Sequence, residues 1–332
     1  MTTKVISNTS LNSVSGDYSA TLNSLKADTK YYYTAYAVVS GTGQYAGDTK
    51  EIRASSYSYF TTPQASEVEP VVDEDWLELP YCKIGNNQVV NVVKYNSERN
   101  YTHMYDTQHY VSLWTAYPLE AKHMGSIKRP DDWTYNPAIS SYDQPNLCSR
   151  SYYDSDTYSR GHMIPNASRN GIKGMQLQTF YVTNSVPQVQ NNFNSGVWSS
   201  LEESLQTIAE SETIYIVTGV AFHKVGENKE IKYTKAKDPS GDNEDGEIKK
   251  CAIPNYFYKV VLKVNKSGST VTGAKAIGFW FENKAYTDQY TNYAVSVDQV
   301  EAWTGFDFFV NLPDNLEAAA ETNTSWDTFK NF

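Results

Sequence analysis

The stretch Tyr158-Ser159-Arg160-Gly161-His162-Met163-Ile164-Pro165-Asn166 sets a cation, a glycine and an imidazole next to one another. An imidazole with an ordinary pKa of about 6.5 accepts a proton from water at neutral pH, which makes His162 a candidate general base. In an extended segment Arg160 falls on the same side as His162, and a guanidinium there grips a phosphate oxygen by a bidentate bond. Gly161 between them would let a substrate backbone come close. A second stretch follows: Thr183-Asn184-Ser185-Val186-Pro187-Gln188, then Asn191-Asn192-Phe193-Asn194-Ser195-Gly196-Val197-Trp198, with Glu202 beyond. The Asn194 amide oxygen is a neutral, hard ligand suited to Mg²⁺, which keeps most of its waters and takes few protein ligands. Glu202 lies eight residues further on, a little over two helical turns, and so points to a similar face. A base, a phosphate clamp and oxygen donors for a hard metal are the parts needed to break a phosphodiester.

Each residue also has a plainer reading. A lone histidine is more often structural. Arg160 could pair on the surface with Asp154 or Asp156, and Gly161 could mark a turn. Asn194 is placed to cap the helix that Ser195-Gly196-Val197-Trp198 opens. Glu202 could be a solvated helix acid, with Glu203 as its rival. The clustering of all four types within two short stretches favours the chemical reading.

The frame for these residues is ample. The chain has 332 residues, 40% of them hydrophobic and 14% aromatic, including 27 Tyr, which stocks a folded core and suits two domains. The net charge of -10 excludes a global basic field, so a polyanion would have to be held by local cations. Cys82, Cys148 and Cys251 are too far apart in sequence for a zinc pattern, and leave open one disulfide or three thiols. No apolar run is long enough to span a bilayer, and the polar start at Met1-Thr2-Thr3-Lys4 gives no signal segment.

Residues 1 to 62 read as β. Tyr18 to Leu22 alternates, Tyr31 to Val39 is a strong strand, Gly41-Thr42-Gly43 is a turn, and Tyr57 to Thr62 closes the segment before Pro63. Residues 63 to 74, with Pro63, Pro70 and several acids, read as a linker. From 75 to 332 one larger domain is expected. Its strands fall at Val89 to Tyr95, His109 to Tyr117, Phe180 to Thr183, Thr213 to Gly219, Tyr256 to Val264 and Ala274 to Phe281. A helix is expected over Trp198 to Ala209, with Val197, Leu201, Leu205 and Ile208 in one stripe, and another over Val295 to Thr304. Residues 118 to 160 read as loops and 226 to 249 as a solvated, charged excursion. Strands and helices without regular βαβ alternation argue for an α+β class.

Two resemblances attach to these residues. Leu25 through Tyr36, with Phe60-Thr61-Thr62, resembles the C-terminal half of a fibronectin type III-like sandwich, though too short for all seven strands. The larger domain resembles the DNA/RNA non-specific endonuclease family. The residues that carry this are Arg160-Gly161-His162, Asn184 to Gln188, Asn194 to Trp198 with Leu201-Glu202, Ile253-Pro254 to Lys259, and Asp298 to Phe309. The family's signature is Asp-Arg-Gly-His, then Ser-Asn-x-x-Pro-Gln, then Asn-x-Gly-x-Trp-x-x-Leu-Glu.

The resemblance implies a mixed-sheet ββα-metal nuclease domain acting on DNA and RNA. It implies His162 as the base that activates water, Asn194 as the direct ligand to Mg²⁺ (or Mn²⁺ in its place), and Glu202 as the group that orients water at the ion. Arg160 would contact phosphate. Arg129, in Lys128-Arg129-Pro130-Asp131-Asp132-Trp133, would stabilise the pentavalent phosphate. Two positions depart from the family: Ser159 stands where the family has Asp, with Asp156 as a possible substitute, and Gln206 stands where some members have arginine. A degenerate domain that binds nucleic acid or phosphate without cleavage is the alternative. The fibronectin-like segment implies an exported protein, secreted, periplasmic or at the cell surface.

Overall fold

The computed structural model describes residues 76–148, 152–237 and 248–332, and before them four strands. The chain divides into two units, 1–68 and 69–332.

In the first unit the strands are β1 (Lys30–Tyr33), β2 (Tyr36–Ser40), β3 (Thr49–Arg53) and β4 (Ser58–Thr61). β1 pairs with β4 and β2 with β3, both antiparallel. The tyrosine-rich strand and the closing strand of the sequence reading fall on β1, β2 and β4. The alternation at Tyr18 to Leu22, the turn at Gly41 to Gly43 and the linker at 63 to 74 lie outside the described residues, and so does the packing that a fibronectin-like sandwich would require.

The second unit begins with a meander of β5 (Gln88–Tyr95), β6 (Glu98–Asp106) and β7 (Val111–Leu119). Then come β8 (Tyr152–Tyr153), β9 (Tyr158–His162), helix α1 (Lys173–Gln178), β10 (Ser185–Val189), α2 (Ser199–Ala209) and β11 (Ile214–Ala221). β12 (Lys232–Lys237), β13 (Lys250–Ile253), β14 (Tyr256–Ser267), β15 (Thr270–Glu282) and β16 (Ala294–Val295) complete the strands. Helices α3 (Val297–Thr304), α4 (Asp314–Glu321) and α5 (Trp326–Lys330) follow. Seven strands form the main sheet in the order β16-β15-β14-β11-β7-β6-β5. β9 and β10 pair separately, as do β13, β12 and β8.

Every named strand pair is antiparallel, so the sheets are not mixed as expected. The reason is connectivity: β5-β6-β7 and β14-β15 follow one another directly, and antiparallel neighbours need only short links. The α+β class holds.

The main sheet is covered on both faces, and its strands alternate between the two cores. Along β11, Ile214 and Ile216 point to one core and Tyr215 and Val217 to the other. The first core takes Val197, Trp198, Leu201, Leu205 and Ile208 from around α2, packed on Tyr117, Phe257, Val261 and Phe279. The second takes Val297 and Val300 from α3 and Ala320 from α4. Full burial of each large apolar side chain is worth about 1.5–3 kcal/mol, so α2 is held chiefly by this stripe.

Three local expectations are corrected. Phe180 to Thr183 is not a strand: Tyr181 makes one isolated bridge to Thr134, and a short 3-10 turn leads into β10. The turn is fastened by the Asn184 side chain, which accepts from Ile164 N at 3.0 Å and donates to the carbonyls of Ile164 and Thr179. The excursion at 226 to 249 contains β12, where Thr234 and Ala236 are buried while Tyr233 and Lys235 are exposed. Finally, α2 begins at Ser199, after an irregular segment described below. Cys82 and Cys251 are buried thiols, and no described helix is long and apolar enough to cross a membrane.

Because Leu205 is fully buried under α2, Leu205→Ala is expected to cost about 2–5 kcal/mol. Urea unfolding should show this as a lower midpoint with an unchanged slope; an unchanged midpoint would refute the packing described.

Candidate active site

β9 and β10 pair with Ser185 opposite His162, Pro187 opposite Arg160 and Gln188 opposite Ser159. Alternation therefore sends Arg160 and His162 to one face of the hairpin and Ser159 and Gly161 to the other. On the first face both side chains meet Trp133. The Arg160 guanidinium lies 4.7 Å from its ring centroid, and the His162 ring also lies at 4.7 Å, with Phe180 edge-on at 5.1 Å. Arg160 Nη1 donates to the Leu147 carbonyl at 2.9 Å.

Gly161 does not open a path for substrate as expected. Its far side is filled by Gln188, whose Oε1 would lie 2.4 Å from a Cβ at 161. The glycine is required by packing across the hairpin.

The His162 Nε2 is buried without a partner, and a backbone hydrogen bond at Arg160 favours the protonated ring. Burial, and then the charges of Arg129 and Arg160, hold its pKa down to about 3. The imidazole is thus neutral at physiological pH.

Asn194 sits on the irregular segment Gln190–Trp198, in which Asn192 adopts φ 61 and Gly196 φ -141. Phe193 anchors this segment among Trp198, Phe257, Phe281 and Tyr286. Asn194 is not the cap of α2, because its Nδ2 donates to Ser159 Oγ at 3.0 Å and to Gln190 Oε1 at 2.9 Å. Both amide hydrogens are engaged, so Oδ1 is the atom left for a ligand. Ser159, the departure from the family Asp, is itself held by a 3.3 Å bond to the Gln188 carbonyl. Asp156 is exposed and absent from the cleft lining, so it does not stand in for the family carboxylate here.

Asn194 and Glu202 are not joined by continuous helix, so the two-turn argument fails, yet both line the same cleft. Glu202 leaves the first turn of α2 and lies 3.3 Å from Lys259 Nζ. Lys259 comes up from β14, is fully buried, and donates to Thr218 Oγ1 at 2.7 Å. Burial pushes the Glu202 carboxyl up and Lys259 pulls it back. Glu203 is exposed on the same cleft.

Arg129, half exposed, lies 5.0 Å from the Phe180 ring centroid and 3.4 Å from Asp131. Gln206 bonds weakly to Ser168 Oγ, at 3.4 Å.

One cleft of about 620 Å³ gathers Arg129, Arg160, His162, Asn194, Glu202 and Ser159. All five site residues expected from sequence are thus brought together. Sequence reasoning missed Trp133, Gln190 and Lys259 as supports. Trp133 and Lys259 fall inside motif segments already singled out, whereas nothing local marks Gln190. The donors suit a hard ion of few protein ligands: the Asn194 oxygen is free, carboxylates stand nearby, and among the described residues the cleft holds no tight group of three His, Cys, Asp or Glu.

The depressed His162 pKa has a definite sign. Between about 6.5 and 3 the unfolded chain binds a proton that the folded site refuses, so His162 destabilises the fold progressively as pH falls through that window and is silent above it. An NMR titration of the folded, metal-free chain should show the His162 ring neutral at pH 5. An inflection near 6.5 would contradict this environment.

Comparison with known proteins bears on family and fold. The model of the DNA/RNA non-specific endonuclease family matches residues 81–315. A nuclease from Nostoc sp. is 25% identical over 276 residues, spanning 79% of this chain and 92% of its own. The nuclease of Serratia marcescens is 24% identical, over 73% of this chain and 83% of its own. The human mitochondrial nuclease EXOG is 27% identical, over 64% and 56%. Among solved structures, a chain of the EndoG/EndoGI complex superposes with a TM-score of 0.52 at 20% identity, covering 69% of this chain and 90% of that one, a likeness of fold. With the family model covering well over half of its length, the chain belongs to the DNA/RNA non-specific endonuclease family.

Proposed function

We propose that this chain is a divalent-metal-dependent, sugar-non-specific endonuclease that hydrolyses phosphodiester bonds in DNA and RNA. The observation that carries the reading is the pairing, in one cleft, of an unpartnered His162 Nε2 with an Asn194 amide whose nitrogen is fully engaged. Membership of a nuclease family and relatives named as nucleases support the same reading.

His162 Nε2, which has no partner in the fold, takes the proton of the attacking water. Arg160, held on Trp133 and Leu147, and the half-exposed Arg129 address the phosphate oxygens. Burial depresses the imidazole most, and a phosphate between the two arginines offsets only the smaller share that their charges add. Asn194 Oδ1 would hold Mg²⁺, or Mn²⁺ in its place, and Glu202, fixed by Lys259, would orient water beside it. When bound, the ion neutralises charge on the scissile phosphate and the leaving 3′ oxygen. The net charge of -10 leaves attraction to nucleic acid to this local patch, which suits turnover more than tight retention.

The non-cleaving alternative drew on Ser159 and Gln206. It is weakened by Ser159 holding Asn194 as a carboxylate would, with a neutral oxygen. The fibronectin-like reading of residues 1–62, the linker at 63–74 and export remain parts of this proposal that rest on sequence; relatives named as mitochondrial place the family in more than one setting.

Purified protein with Mg²⁺ is expected to nick plasmid DNA and degrade RNA, and His162→Ala to lower the rate about 10²–10⁴-fold. Plasmid left intact with either Mg²⁺ or Mn²⁺ would favour the non-cleaving reading. Ser159→Ala should raise the metal concentration for half-maximal rate about 10–100-fold while sparing the rate at saturating metal. An unchanged metal titration would remove Ser159 from the support of Asn194.

A further inference from the structure

A second cluster of oxygen donors lies on the other face of the main sheet, away from α2. Asp298 and Glu301 project from α3, three residues apart and so on one side of that helix, and Glu321 from the end of α4. Their carboxylate oxygens lie within 4.8 Å of one another. Glu321 is only 4% exposed and its Oε1 has no hydrogen-bond partner. Asp298 is exposed, so the group opens to solvent on one side. One oxygen of Glu301 accepts from Phe308 N at 2.8 Å, which fixes that side chain and leaves its second oxygen.

Such a group is unstable as three bare anions. The charges that weigh most on Glu321 are further carboxylates, Glu301, Glu317, Asp298 and Asp307. Together with burial they push its carboxyl up to about 9, while Glu301 and Glu317 are each pushed to about 7. Asp314 adds to the same field through Glu317. Either a proton or a cation must neutralise this site.

We propose that Asp298, Glu301 and Glu321 form a calcium site that ties α3 to α4 and is separate from the nuclease cleft. The donors are all hard oxygens, with no imidazole or thiolate among them. Ca²⁺ takes oxygens at about 2.3–2.6 Å, so ligands on opposite sides of the ion are about 5 Å apart, which brackets the observed spread. Waters complete the shell on the side of Asp298. The ion replaces mutual repulsion by attraction and gives the buried Glu321 oxygen its missing partner.

The test is thermal unfolding of the full chain, stripped with EDTA and then brought to millimolar Ca²⁺. Wild type and Asn194→Ala should both gain about 3–10 °C, because the shift does not depend on the cleft. Glu321→Gln and Asp298→Asn should lose most of that shift. Asp298 is exposed, so its variant reports even if Glu321→Gln folds poorly. The site would be overturned by no calcium shift in wild type, as expected if Glu321 is simply protonated, or by a full shift retained in Asp298→Asn. A shift lost only in Asn194→Ala would assign the effect to the cleft and also overturn it. Loss of nuclease activity in the cleft variants would not bear on the outcome.

Discussion

The Asn194 amide carries two hydrogens, and Ser159 and Gln190 take both. That pair of bonds decides which atom of the side chain faces the cleft. If either acceptor were lost, the amide could turn and present N–H groups where a cation needs an oxygen. The rest of the site is arranged around keeping that choice. Ser159 is set by its place opposite Gln188 in the hairpin, and the turn bearing Asn194 is fixed by Phe193 on one side and Val197 and Trp198 on the other, all buried.

The sheet supplies the second constraint. On its α2 face Lys259 rises from among apolar side chains to Glu202. An ammonium in such a place is tolerable only with an anion and a hydroxyl beside it, and Glu202 and Thr218 provide them. Removing one member of a buried pair typically costs about 3–5 kcal/mol, so the orientation of Glu202 is coupled to the stability of the core. A related logic governs His162. Burial beside Trp133 and Phe180, and then two guanidinium groups, keep it neutral at physiological pH. The cleft therefore resists protonation of its imidazole.

Much of this was legible in the chain because the chemistry sits in short windows. His162, Arg160, Asn194 and Glu202 are identifiable by type and spacing, and the buried strands of the main sheet by their apolar runs. What stayed hidden depends on distant pairing. Gly161 looks like a substrate gap until Gln188 is seen to fill it. Pro187 disguises β10, since proline argues against an interior strand, yet it fits in this two-stranded hairpin. The stripe of Val197, Leu201, Leu205 and Ile208 reads as one helix, although the first of these belongs to the irregular turn. Charge disguised β12, whose inward residues are small and whose outward ones are lysines and tyrosine. Gln190 carries no local signal, because its role exists only once the turn has folded back on Asn194.

The central claim is that the Asn194 oxygen, presented by Ser159 and Gln190, is the protein's direct hold on the metal. Anomalous diffraction from crystals soaked in Mn²⁺ tests it most directly. The account predicts a peak in the cleft bonded to Asn194 Oδ1 at about 2.0–2.2 Å, with Glu202 reached through water. A peak bonded directly to Glu202 or Glu203, with Asn194 turned away, would contradict it.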